Sequence, residues 1–244
     1  MTTGTVEAAE KKPKGKRIDK WARQAKKEIT KIRSRHCSTQ IKDKSPAGLT
    51  EQAMWVFTSM SQITDSLFLC GLRGLSVDNL KRNGITLVIN VTHDLINEIV
   101  PGVKYKRYEV ADEPNQDIKQ YFHPAADSIN EEIRTGGKVA VHCLAGVSRS
   151  CSIVLAYLVK YHGMTLHDAF MFVRKRRSVV RPNYGFFQQL IAFEKEVHSS
   201  REPSVKMIKL GDAPGDLIPD IYEEECKGFL WLRSVKDRLK DDKK

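Results

Sequence analysis

Cysteine is scarce in this 244-residue chain, and its five copies (Cys37, Cys70, Cys143, Cys151, Cys226) never fall in CxxC spacing. An odd, scattered set argues against a disulfide framework and against a zinc cluster, and it fits a reducing compartment, cytoplasm or nucleus. Long hydrophobic runs are missing too, with no stretch approaching the roughly 18 uncharged apolar residues of a membrane span. The first 20 residues are polar and charged and lack the apolar stretch of a secretory signal. Acidic residues are outnumbered, 30 Asp plus Glu against 41 Lys plus Arg, for a net charge of +11. The imbalance is local. Residues 1–50 hold 14 basic and 5 acidic side chains, residues 51–198 hold 17 and 15, and residues 199–244 hold 10 and 10. A nearly neutral body does not suit wrapping a polyanion, so no specific nucleic-acid partner is expected.

What is present is a globular composition, 41% hydrophobic, in an alternating order of elements. QITDSLFLCG near 62–71 reads as a strand. ITLVINV at 85–91 is a β-branched run suited to a buried strand, VKYKRYEV at 103–110 alternates, and KVAVHC is another short buried strand. Helical spacing covers 117–135 up to Gly136-Gly137, then SCSIVLAYLVKYHG, Thr165 to Arg176, and Tyr184 to Val197 after the turn RPN at 181–183. Strands alternating with helices predict an α/β fold, a central mainly parallel sheet flanked by helices. Three regions follow: a basic arm over 1–50 with an amphipathic helix at 18–35, an α/β domain over 58–200, and an extension over 201–244.

The chemistry concentrates in VHCLAGVSRS, residues 141–150, which runs strand, tight loop, helix. A loop in that position aims successive N–H groups inward, and the helix start adds its positive dipole end. Gly146 permits a backbone conformation that a Cβ would obstruct. Arg149 offers a permanently charged fork to two phosphate oxygens. In such a cradle the thiol of Cys143 should be unusually acidic, a thiolate nucleophile facing a bound phosphate ester. The developing charge would meet fixed N–H groups and Arg149. The leaving oxygen still needs a proton, and Asp112 in YEVADEPNQD follows a strand at the same carboxyl edge as Cys143. Glu113 and Asp117 are its rivals; Asp117 suits a cap on the following helix. Ser148 and Ser150 read as N-cap serines, with Ser150 able to serve as cap and catalyst together.

HCLAGVSRS resembles the His-Cys-x5-Arg-Ser loop of cysteine-dependent protein phosphatases. QITDSLFLCG, GITLVINVT, YEVADEPNQDI, RPNYGFFQQLIAFE and IPDIYEEE resemble the small atypical dual-specificity phosphatases, the subgroup of members fourteen, eighteen and twenty-one, over roughly residues 60–225. The resemblance implies a protein-tyrosine-phosphatase-like fold that hydrolyses phosphotyrosine and phosphoserine/phosphothreonine through a phosphocysteine. It makes Cys143 the nucleophile, Arg149 the phosphate binder, Asp112 the general acid, and Ser150 the hydroxyl that stabilises the departing thiolate. His142 orients the loop and tunes the thiolate, Asn183 braces the loop, and Leu144, Ala145, Gly146, Val147 and Ser148 line the pocket with main-chain amides. No metal and no cofactor is implied, and the implied partners are phosphoproteins, with MAP kinase pathway members as one class. Arg149 is the one cation expected in the pocket, which argues against a multiply phosphorylated lipid.

Two rival functions stay open at this level, a phosphoprotein-binding scaffold without turnover and an RNA 5′-phosphatase. The basic arm has four readings: a solvated tail, contact with an anionic membrane face anchored by Trp21, a nuclear-import patch around KKPKGKR, or partner binding through Trp21 and Ile32.

Overall fold

A computed structural model describes residues 58–93, 99–199, 202–209 and 217–226. The basic arm, its expected helix over 18–35, Cys37 and the late apolar patch 229–232 lie outside the described residues. At the centre is a five-stranded sheet of β1 (Met60–Gln62), β2 (Leu67–Gly71), β3 (Leu87–Asn90), β4 (Lys104–Arg107) and β5 (Val139–Cys143), in spatial order β1-β2-β5-β3-β4. The pairs β2–β5, β5–β3 and β3–β4 are parallel, and β1 runs antiparallel to β2.

Strand periodicity divides the core. Leu67, Leu69, Leu87, Ile89, Val139 and Val141 face the main cluster, whereas Phe68, Val88 and Ala140 between them face a smaller one with Leu80, Ile85 and Val100. The larger face is covered by α2 (Phe122–Arg134), α3 (Arg149–His162), α4 (Leu166–Arg176) and α5 (Tyr184–Val197), and the smaller by α1 (Val77–Asn83). Helix α3 is buried from Arg149 to Val159, so it is apolar nearly all round instead of striped.

Two local expectations change. The stretch 62–71 is a hairpin, not one strand: the Thr64 hydroxyl accepts from Leu67 N at 3.1 Å, and Ile63 N donates to Leu67 O at 2.8 Å. Thr64, Asp65 and Ser66 are turn-forming residues that break the extended run. Helix α1 had no sequence signal beyond Ser76, whose hydroxyl caps Asn79 N at 3.1 Å, because Leu80 is its one buried residue and leaves no apolar stripe.

Beyond α5 the chain forms a hairpin, β6 (Met207–Lys209) with β7 (Leu217–Pro219), and Val205, Ile218, Tyr222 and Cys226 join the main core. Glu194 of α5 pins this segment. Its carboxylate accepts from Leu166 N at 2.7 Å, Ser204 N at 2.9 Å and the Ser204 hydroxyl at 2.7 Å. No helix among the described residues is long and apolar enough to cross a membrane.

Candidate active site

The loop between β5 and α3 sits at the carboxyl edge of the central strand. Its geometry follows from where its carbonyls go. Leu144 O accepts from Leu72 N at 3.1 Å and Val147 O from Arg181 N at 2.9 Å. Between them, Ala145 O and Gly146 O accept from Nη2 and Nε of Arg177 at 3.0 and 2.8 Å. Four successive carbonyls are thereby turned outward, and a peptide whose C=O faces out presents its N–H inward. Gly146 N points at Cys143 Sγ from 3.3 Å. Gly146 adopts φ +68°, and a Cβ there would lie 2.5 Å from the Cys70 carbonyl carbon and oxygen, so this position accepts glycine alone.

Cys143 is buried, and burial by itself pushes its thiol up. The charge of Arg149 and the bond from the Ser150 hydroxyl to Sγ, 3.2 Å long, outweigh that and hold it below the ordinary thiol range. The thiolate form of Cys143 is thereby favoured relative to that of an ordinary cysteine. His142 is fully buried on β5, where burial first and Arg149 second lower it to about 4. It is therefore neutral at physiological pH. Its Nδ1 lies 3.2 Å from Cys143 O, and a carbonyl only accepts, so Nδ1 carries the proton. His142 supplies a dipole and a loop anchor, not a positive charge.

Arg149 opens α3 and is buried with its side chain turned back to the loop that follows β4. Nη1 donates to Val110 O at 3.1 Å, and Nε is a buried donor with no hydrogen-bond partner. An orphaned guanidinium N–H beside a thiolate is what a phosphate oxygen would satisfy.

Asp112 reaches the site although β4 is the sheet edge, because residues 108–118 cross back over the carboxyl ends of the strands. Its Oδ1 accepts from the Ser148 hydroxyl at 2.8 Å and from Asn183 Nδ2 at 3.0 Å. Its Oδ2 lies 3.6 Å from Arg149 Nε, an ion pair and not a hydrogen bond. Of the two rivals, Asp117 Oδ1 caps Gln120 N at 3.3 Å as anticipated, and Glu113 O accepts from Gln116 N within the loop.

Expected residues therefore converge: Cys143, Arg149, Ser150, Asp112, His142 and Asn183 with the loop 144–148. Asn183 braces in two directions, since its Oδ1 also caps α5 by accepting from Phe186 N at 2.9 Å. One role changes. The hydroxyl of Ser148 does not cap α3; it donates to Asp112 and accepts from Asn183 N at 3.2 Å. Its proton goes to the carboxylate and its oxygen accepts from the Asn183 amide, so it caps no N–H of α3.

Arg177 was missed. It is 1% exposed and also donates to the Ser61 hydroxyl at 3.2 Å, behind the loop and opposite Arg149. Burial lowers the pKa of its guanidinium. The spacing from Leu166 through Phe170 and Val173 leads to Arg177, but that residue lies just past α4 in extended conformation, φ −141° and ψ 90°, so helical periodicity does not announce its burial.

Comparison with known proteins agrees with this geometry. The dual specificity phosphatase catalytic-domain model matches residues 67–196. Dual specificity protein phosphatase 18 of Homo sapiens is 39% identical over 178 residues, 72% of this chain and 91% of that protein. Dual specificity protein phosphatase 14 of Homo sapiens is 40% identical over 174 residues, 70% and 84% respectively. Among solved structures, a mouse putative dual specificity phosphatase complexed with zinc tungstate superposes with a TM-score of 0.57 at 29% identity, covering 66% of this chain and 96% of that one. With the domain match, these identities and the mainly parallel sheet in agreement, the chain belongs to the dual specificity phosphatase family, in the atypical subgroup its sequence resembles.

Proposed function

We propose that the chain is a protein phosphatase that removes phosphate from phosphotyrosine and from phosphoserine or phosphothreonine through a phosphocysteine on Cys143. The observation that carries the reading is the pairing, in one buried loop, of a lowered thiol with inward N–H groups and the orphaned Nε of Arg149. The phosphate dianion docks on the loop amides and Arg149, and the Cys143 thiolate attacks phosphorus opposite the ester oxygen. The P–O bond breaks as the S–P bond forms, and Asp112 delivers its proton to the leaving oxygen. Oδ1 of Asp112 is saturated by two donors, so the transferable proton belongs on Oδ2, the oxygen nearer Arg149. In the second step Asp112 takes a proton from water, whose oxygen bonds to phosphorus as the S–P bond breaks to release inorganic phosphate, and the Ser150 hydroxyl stabilises the released thiolate. The amides stabilise the equatorial charge in both steps.

The same loop would take tungstate, the phosphate-shaped oxyanion present with the mouse relative. Phosphoproteins of the MAP kinase pathway are the proposed substrates on the family resemblance, and a reducing compartment, cytoplasm or nucleus, suits a chemistry that needs Cys143 as a free thiol. Turnover of 4-nitrophenyl phosphate and of phosphotyrosine and phosphothreonine peptides by wild type, Cys143→Ser and Asp112→Asn tests the reading. Wild-type turnover with near-complete loss in Cys143→Ser is expected. An inactive wild type, or an active Cys143→Ser, contradicts it.

A further inference from the structure

The loop carrying Asp112 is strapped to α5 by more than Asn183. Gly185 and Gln189 stand one turn apart on the same side of that helix, and both meet the loop. A Cβ on Gly185 would lie 1.9 Å from Pro114 O and 2.6 Å from Pro114 C, so here helix backbone packs directly on loop backbone. Gln189 uses both ends of its carboxamide. Oε1 accepts from Ile118 N and from Lys119 N, each at 2.9 Å, and Nε2 donates to Gln116 O at 2.8 Å. Ile118 itself is fully buried in the main core. The acid loop is thus fixed at its carboxylate, at Pro114, and at 116–119.

We propose that Gln189 is a positioning residue for the general acid. It presents Asp112 already in place over Cys143, so that no loop closure precedes proton transfer. The proposal rests on Asp112 being the acid. Ser148 and Asn183 hold Asp112 Oδ1, and Arg149 meets Oδ2 as an ion pair and holds Val110 O upstream, which leaves the downstream side of the loop able to swing unless α5 holds it. Three bonds from a single rigid helix side chain remove that freedom four to seven residues downstream. General-acid catalysis depends steeply on such placement, because the donor must lie within hydrogen-bond reach of the leaving oxygen.

The test compares wild type, Gln189→Met, Gln189→Glu and Asp112→Asn on an aryl phosphate with a good leaving group and on phenyl phosphate, with kcat against pH for each. Methionine keeps the length of the side chain and loses all three bonds. Glutamate keeps the two bonds from Ile118 N and Lys119 N and loses the donor to Gln116 O. Acid catalysis contributes about 100-fold or more, so Gln189→Met should lower kcat on phenyl phosphate by about tenfold and on the good leaving group by less than about twofold. The descending alkaline limb of its pH profile should flatten, and Gln189→Glu should fall between it and wild type. Equal losses on both substrates, a change confined to KM, or no loss overturns the proposal. Should Gln189→Met fail to fold, the same comparison on Gln189→Glu decides. An Asp112→Asn variant without leaving-group dependence overturns the acid assignment itself, and a dependence in Asp112→Asn alone overturns only the role of Gln189.

Discussion

Replacing Arg177 by lysine is the sharpest probe of how the phosphate loop holds its shape. The guanidinium spans two adjacent carbonyls, Ala145 O at 3.0 Å and Gly146 O at 2.8 Å, and no single ammonium on a flexible stem reproduces that fork. Lysine would retain the charge without the planar pair of N–H groups, and one of the two carbonyls is expected to go unmet. A buried acceptor left unmet costs about 1–3 kcal/mol, so Arg177→Lys should lose roughly that much stability, and Arg177→Met roughly twice as much. The functional loss follows by a separate route. A freed carbonyl lets its peptide plane turn, which withdraws an inward N–H from the oxyanion site, and one such donor is worth about 100-fold or more in the transition state. Urea denaturation gives the first quantity; inhibition by tungstate or vanadate, alongside turnover of an aryl phosphate, gives the second. The expected result is a lower midpoint together with at least about tenfold weaker oxyanion inhibition. A destabilised Arg177→Lys that binds oxyanion as tightly as wild type would refute the reasoning, for the amides would then be directed without the carbonyl clamp.

Gly146→Ala should be worse than any polar change in the loop, because its methyl meets the Cys70 carbonyl at 2.5 Å and φ is +68°; a folded variant with normal vanadate affinity would contradict this. The pH–rate profile should be bell-shaped on the acidic side of neutral, rising with the Cys143 thiolate that Arg149 and Ser150 stabilise against burial, whereas a steady rise through pH 8 would be inconsistent with it. His142 makes stability fall in acid: the native ring, held at about 4, refuses a proton that the unfolded chain accepts near 6.5. Its contribution is full above the unfolded value and is lost as pH drops toward 4, roughly 3 kcal/mol in all at about 1.4 kcal/mol per tenfold. Urea titrations of wild type and His142→Asn between pH 4 and 7 should therefore differ in slope, and identical slopes would remove His142 as the cause.

The main strands were legible because burial on both faces imposes apolar β-branched runs, as in LVIN of β3 and VAVHC of β5. Helices α4 and α5 were legible from their apolar spacing, and the structure adds that Thr165 and Asn183 fix their starts by capping Asp168 N and Phe186 N. The spacing of Cys143 and Arg149 was legible since both belong to one local turn and need no distant partner. What escaped were contacts made across the fold. Arg177 lies in RKRR, a run that reads as a solvated face, and its burial depends on carbonyls about thirty residues earlier in the chain. Ser148 looks like a helix cap until two other segments engage its hydroxyl, Asp112 accepting from it and Asn183 N donating to it.

Arg177 also alters what the charge distribution means. The sequence points to Arg149 as the one cation in the pocket of a nearly neutral body, yet the site has two arginines with opposite tasks. Arg149 stands on the substrate side, with an N–H left over for phosphate, while Arg177 stands behind the loop and spends its N–H groups on carbonyl oxygens. The two peptide units whose carbonyls are those of Ala145 and Gly146 thereby have their negative ends toward Arg177 and their N–H ends turned the other way. That polarity is built in before any substrate arrives. Stabilisation of a phosphoryl transition state requires just such dipoles, fixed in advance and unable to reorient. A loop of the same sequence without Arg177 would keep Cys143 and Arg149 and lose the orientation that makes the amides between them useful.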